Sequence, residues 1–267
     1  MIEANPPIVF DTEQLRVFED LHPVSAVFAQ GEESEGSTPL AWYNDGPDNR
    51  PPIDQAQLSG TFNRPRMIAM QANPEVGTLE LCIAILAWGG MHRKNRDYLF
   101  EKPVEAWLGV ACAIRSGEHL RSTAFDAFAA LYHQGVISGM KPAYFTKLIY
   151  FLMPRGGVPI GYIMDQWLGC SINLLCGHEV VKMDHTLTWH REKRATLPER
   201  RLTSHVSAWN DSRDYERFCN AIESLSAMMG SQWNPETTEL SLLSTGGKKP
   251  GAWRAHVKER RLALLIN

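Results

Sequence analysis

The chain lacks the marks of export and of membrane insertion. Its opening, MIEANPPIVFDTEQ, has neither a basic start nor an apolar core of signal-peptide length, and its longest apolar stretch, residues 81–88, is far too short to span a bilayer. Cysteine is scarce. Cys82, Cys112, Cys170, Cys176 and Cys219 are odd in number, widely scattered and mostly set in apolar runs, which suits small buried thiols in a reducing compartment rather than a disulfide framework. A cytoplasmic protein is expected. Also missing are a nucleophile-elbow serine, a Walker loop and a dinucleotide fingerprint; Gly156-Gly157 and Gly246-Gly247 are isolated pairs, too weak to signal phosphate binding. Excess charge is absent too. A formal net charge of −3 gives no global pull toward nucleic acid, so any such surface must be local.

What is present is enough apolar residue, 44% of 267, to bury a core without crosslinks or metals. The expectation is a mainly α-helical protein in three stretches: a loop-rich N-terminal layer over 1–75, a helical body over 76–243, and a basic C-terminal tail helix over 244–267. Proline, glycine, asparagine and aspartate dominate the first stretch, as in STPLAWYNDGPDNRPP, with short apolar pieces at 8–10 and 24–28. Acidic residues gather at 13–20 and 32–35. Basic ones gather around Arg93, Lys94 and Arg96, then at 191–201 and 248–261. Each basic run alone reads as a solvated helix face, and only convergence on one groove would make them functional.

Punctuation and periodicity divide the body. A buried helix over 75–88 stops at Gly89-Gly90, and Pro103 opens the next, with Val104, Trp107, Leu108, Ala111 and Ile114 on one face. A third helix over 122–133 stops at Gly135. A tight turn at 137–142 leads into a helix over 143–152, which the run 153–159 breaks, and another helix opens near Asp165 with Trp167, Leu168, Ile172, Leu174 and Leu175. A polar, histidine-bearing stretch occupies 177–210, followed by helices over 212–229 and 253–265. There is no internal repeat and no low-complexity tract.

The stretch GMKPAYFTKLIYFLMPRGGVPIGYIMDQWLG, residues 139–169, places an isolated lysine in an apolar helix shortly before an isolated aspartate at the next helix start. Lys147 has Phe145, Leu148, Ile149, Tyr150 and Phe151 around it. Such a lysine either snorkels to the surface or is partly desolvated, and desolvation leaves a neutral, nucleophilic fraction of amine, as Schiff-base chemistry requires. Asp165 either simply caps its helix or also faces the same cavity. Spacing alone leaves both pairs of readings open.

Phe145-Thr-Lys147, then Tyr150-Phe151, a proline-containing loop and Ile163-Met-Asp165 resemble the helix-hairpin-helix DNA glycosylase superfamily, most nearly its bacterial 8-oxoguanine DNA glycosylase OGG-like family. Ala87-Trp-Gly-Gly90 resembles the Trp-Gly segment that these proteins carry near the base pocket, and 215–229 with Asn234-Pro-Glu-Thr-Thr-Glu-Leu240 resembles their closing helix and tail. The likeness covers about 80–243. The hairpin departs from the usual Leu-Pro-Gly-Val-Gly: here it reads Ile137-Ser-Gly-Met-Lys141, with one glycine, and Lys141 to supply charge in place of the second amide turn.

The resemblance implies a helix-hairpin-helix glycosylase-like fold and a bifunctional glycosylase/AP lyase acting on DNA that contains a modified purine such as 8-oxoguanine. Lys147 would attack the sugar C1′, Asp165 would stabilise the cationic sugar and orient or deprotonate the amine, and Trp88, Gly89 and Gly90 would line the pocket of the extruded base. Arg93, Lys94, Gly139, Lys141 and Arg155 would hold backbone phosphates. No cofactor is implied. The iron-sulfur cluster of some relatives needs four closely spaced cysteines, and Cys170 and Cys176 are only two. Lys141 competes as nucleophile, although the aromatic context matches Lys147.

Other classes remain. His178, Asp184, His185 and His190 suggest a metal site by residue type, but their spacing fits no compact ligand pattern. The same scaffold would also serve a non-catalytic DNA-binding or recruitment module, in a phage-defence or nucleic-acid-modification system, or an enzyme that uses the lysine on small carbonyl compounds.

Overall fold

The chain contains short, strongly punctuated helices, and a computed structural model, which describes residues 7–22, 38–190, 199–244 and 251–266, arranges them in two groups. Helices α1 (Thr12–Leu21), α2 (Pro39–Asn44) and α3 (Arg64–Ala72) and a 3₁₀ turn at Gln55–Leu58 are joined by irregular segments. Then come α4 (Thr78–Trp88), α5 (Arg93–Phe100), α6 (Glu105–Arg115), α7 (Arg121–His133), α8 (Pro142–Leu152) and α9 (Gln166–Cys176). A two-stranded antiparallel sheet, β1 (Met183–His190) and β2 (Glu199–Val206), precedes α10 (Ser212–Met229), α11 (Pro235–Leu243) and α12 (Ala252–Ile266). Among the described residues no helix is long and apolar enough to cross a membrane. The apolar piece at 24–28, the acidic run at 32–35, most of the basic run at 191–201 and the Gly246-Gly247-Lys248 segment fall outside the described residues.

Helix α4 is the hub of the first group. From Leu81 to Ala87 every side chain is fully buried, as a helix apolar on all sides must be, and α2, α3, α6 and α8 pack around it. Around α9 stand α1, α10, α11, α12 and the sheet, and α7 ties the groups together by packing on both α8 and α10. Arg121 of α7 carries that contact, ion-paired to Glu216 at 2.9 Å and to Glu223 across on α10.

The cap that the sequence suggests at Asp165 is in place, while Pro142, assigned to the preceding turn, and Gly177, assigned to the polar stretch, prove to be helix ends as well. Pro142 opens α8, Asp165 caps α9, and Gly177 ends α9 in the left-handed conformation (φ 67°) that glycine adopts without cost. Two expectations need correction. Pro103 lies outside its helix, because Val104 takes the cap and α6 begins at Glu105. The polar stretch over 177–210 contains the β1–β2 ribbon, in which Met183 pairs with Val206 and Trp189 with Arg200. Residues 184–189 are all exposed, so this part of β1 buries neither face.

Candidate active site

Lys147 lies midway along α8, half-buried, with its side chain laid across the C-terminal end of α4. Its Nζ donates a hydrogen bond to the Gly89 carbonyl at 2.8 Å and stands 5.4 Å from the centre of the Tyr144 ring. Gly89 has an ordinary helical φ of −68°, so its backbone does not demand glycine. Space does: a Cβ there would stand 2.7 Å from Lys147 Cδ and 2.9 Å from the Ile85 carbonyl oxygen. Loss of water lowers the pKa of the amine below the usual lysine value; the Asp165 carboxylate opposes that shift and the Arg64 guanidinium adds to it.

Asp165 opens α9. Its Oδ1 accepts from the amides of Trp167 (2.8 Å) and Leu168 (3.0 Å), which satisfies two of the helix's orphan donors. No direct ion pair joins it to Lys147, although its charge acts on the amine. The extended segment before Asp165 is clamped at each residue. Gly161 passes so close to α8 and α10 that a Cβ would stand 2.3 Å from the Tyr215 hydroxyl, and that hydroxyl donates to the Tyr162 carbonyl at 2.9 Å. The Ile163 amide donates to Glu239 at 2.8 Å, and the Met164 amide to the Thr146 hydroxyl at 3.0 Å. Thr146 and Lys147 are neighbours on α8, so this last bond fixes the register of the aspartate against the lysine.

Beneath them lies a buried ion pair, Arg64 of α3 with Glu239 of α11. Arg64 also stands over the rings of Trp88 (5.6 Å) and Tyr150 (5.1 Å). Burial pushes the Glu239 carboxyl upward, and Arg64 opposes that shift. Tyr150, pushed up to about 12 by burial, keeps its proton and donates it to Glu236 at 3.3 Å. Trp88 packs edge-on against Phe151, and its buried indole N–H has no acceptor among the described residues.

The residues expected to meet DNA fall into two places. Gly139 (φ 96°) turns the hairpin against Asn95 of α5, where a Cβ would stand 3.0 Å from the Asn95 carbonyl oxygen. That contact sets the turn, with exposed Lys141 at the cap of α8, beside exposed Arg93 and Lys94 at the start of α5. Arg93 reaches Asp45 at 3.1 Å and Lys94 lies over Tyr98. Arg155 stands apart, paired with Glu236 at 3.0 Å and donating to the Tyr150 carbonyl. Gly90 (φ 70°) borders a cavity of about 400 Å³ between α2 and the segment leading to Arg93; Trp88 and Lys147 do not line it. His178 and His185 are engaged separately, with the Cys176 carbonyl and the Ser204 hydroxyl.

Sequence reasoning missed Arg64, Thr146 and Glu239. Thr146 had a signal, a hydroxyl beside the lysine in an apolar helix; the other two had none, being 175 positions apart.

A family model described as "Putative 8-oxoguanine DNA glycosylase OGG-like protein" matches residues 27–243. No curated protein and no solved structure matches the chain.

Proposed function

The chain belongs to the 8-oxoguanine DNA glycosylase OGG-like family, and from that membership we propose that it is a bifunctional glycosylase that excises a modified purine from DNA through a Schiff base on Lys147. The observation that carries the reading is the half-buried Lys147 amine, its pKa depressed, held by the Gly89 carbonyl and within the field of Asp165. A neutral amine is a nucleophile, and removal of water is the ordinary way to obtain one near neutral pH.

In this reaction the amine nitrogen bonds to C1′ while the glycosidic bond breaks and its electron pair leaves with the base, which takes up a proton. Opening of the sugar at O4′ gives the imine, and loss of a C2′ proton then expels the 3′ phosphate. Asp165 compensates the positive charge that grows on the sugar and accepts a proton from the attacking amine. Its cap bonds to the Trp167 and Leu168 amides hold it at the start of α9, off the lysine. The Trp88 indole N–H is a ready donor to the displaced base or sugar. Lys141, Arg93, Lys94 and the Gly139 turn form one surface for backbone phosphates; Arg155, already neutralised by Glu236, contributes after that pair opens.

Borohydride trapping tests the reading. Duplex DNA carrying a modified purine is expected to give a covalent complex that Lys147→Gln abolishes and Lys141→Gln retains. Trapping that survives Lys147→Gln and is lost in Lys141→Gln moves the nucleophile. DNA binding without trapping makes the chain a recruitment module, and trapping with small aldehydes alone makes it an enzyme of small carbonyl compounds. A panel of oligonucleotides with single modified bases then identifies the substrate.

A further inference from the structure

Between α1, α9, β1 and α12 lies a cavity of about 570 Å³ that Lys147 does not line, a size typical of small-molecule sites. Two of its walls, α1 and α12, are outside residues 27–243, so the family match does not account for it. The terminal helices are clasped together over α9 by a hydrogen bond between His256 and Gln14 at 2.8 Å. The buried floor consists of Gln14, Cys170, Met183, Val257 and Arg261, while Asp11 and Glu179 stand at the exposed mouth.

Arg261 is the anomaly of this floor. It is 8% exposed and has no acidic partner among the described residues. One guanidinium nitrogen donates to Cys170 Sγ at 3.2 Å, a weak acceptor; Nε has none, and the group lies 5.5 Å from the Trp167 ring centre. Burial pushes the Cys170 thiol up, so cysteine offers no thiolate. Other buried arginines are compensated: Arg64 by Glu239, Arg121 by Glu216 and Glu223, Arg96 by Asp97, and Arg254 by two hydrogen bonds to the Leu243 carbonyl. A buried charge without a counter-charge is costly, and a guanidinium presents a fork matched to two oxygens of one anion.

We propose that this cavity binds a small-molecule oxyanion, a phosphate or a carboxylate, on Arg261. The site is separate from the glycosylase chemistry and does not depend on it. The test is thermal melting of the full chain at constant ionic strength with inorganic phosphate, deoxyguanosine monophosphate or succinate. At least one is expected to raise Tm saturably, the effective anion distinguishing phosphate from carboxylate, with the response lost in Arg261→Met and weakened in Arg261→Lys. The same anion is expected to slow maleimide labelling of Cys170 in the unaltered protein by about fivefold or more, leaving exposed Cys112 unaffected. Absence of both responses to all three anions, an equal response in Arg261→Met, or protection of Cys170 by duplex DNA alone overturns the proposal.

Discussion

Lys147 and Gly89 fit against each other: the glycine carbonyl accepts the lysine's hydrogen bond at 2.8 Å, and the missing glycine side chain leaves the channel through which the lysine runs. The nucleophile proposed here is thus placed by a residue 58 positions earlier in the chain.

Gly89→Ala therefore displaces the amine. The added methyl meets Lys147 Cδ and also the fixed Ile85 carbonyl, so the cost is overpacking, about 1–3 kcal/mol. Single-turnover excision is expected to fall at least about tenfold, since a small misplacement of a reacting group costs that much or more. Affinity for undamaged duplex DNA is expected to stay the same, and unchanged excision would disconnect Gly89 from the reaction.

The rate should rise with pH through the depressed pKa of Lys147 and level off below 10.5, the ordinary lysine value. Stability carries the same sign. Between the folded pKa and 10.5 the unfolded chain binds more protons, so the penalty of burying the lysine is full below the folded pKa and disappears as pH approaches 10.5. Lys147→Met is accordingly expected to stabilise the protein most at neutral and lower pH, by an amount that shrinks in alkaline urea titrations.

Asp165→Asn separates cap from charge. Asparagine caps as well as aspartate, so stability is expected to change by less than about 1 kcal/mol. Excision is expected to fall about a hundredfold or more with loss of the carboxylate. Asp165→Ala loses the cap as well, and comparison of the two melts isolates it.

Breaking the Arg64–Glu239 pair strands a buried charge. Arg64→Met alone is expected to cost about 3–5 kcal/mol, and adding Glu239→Met to recover part of it, as measured by urea unfolding. The Arg64 variant should also shift the pH–rate profile upward, because Arg64 helps to depress the lysine.

Much of the fold was legible because its helices are sharply punctuated. The breaker run at 153–159 and Asp165 mark the end of α8 and the start of α9, and the expected limits of α10, 212–229, match Ser212–Met229. Helix α5 was not legible. Its buried side includes Arg96, which caps carbonyls of α2 by bonding to Trp42 and Asp45, so a charged residue occupies a core position. The β1–β2 ribbon escaped because polar residues dominate the stretch and residues 184–189 are exposed, although Met183, Leu187 and Trp189 do fall on alternate positions.

Local sequence by itself determined the lysine, the aspartate and the two helices that bear them, since caps and apolar neighbours act over a few residues. Only tertiary structure decided that Gly89 leaves room for the lysine, that Thr146 and Glu239 hold the extended segment before the aspartate, and that Arg64 biases the amine. Those effects come from desolvation and from contacts between distant segments, which exist only once the chain has packed.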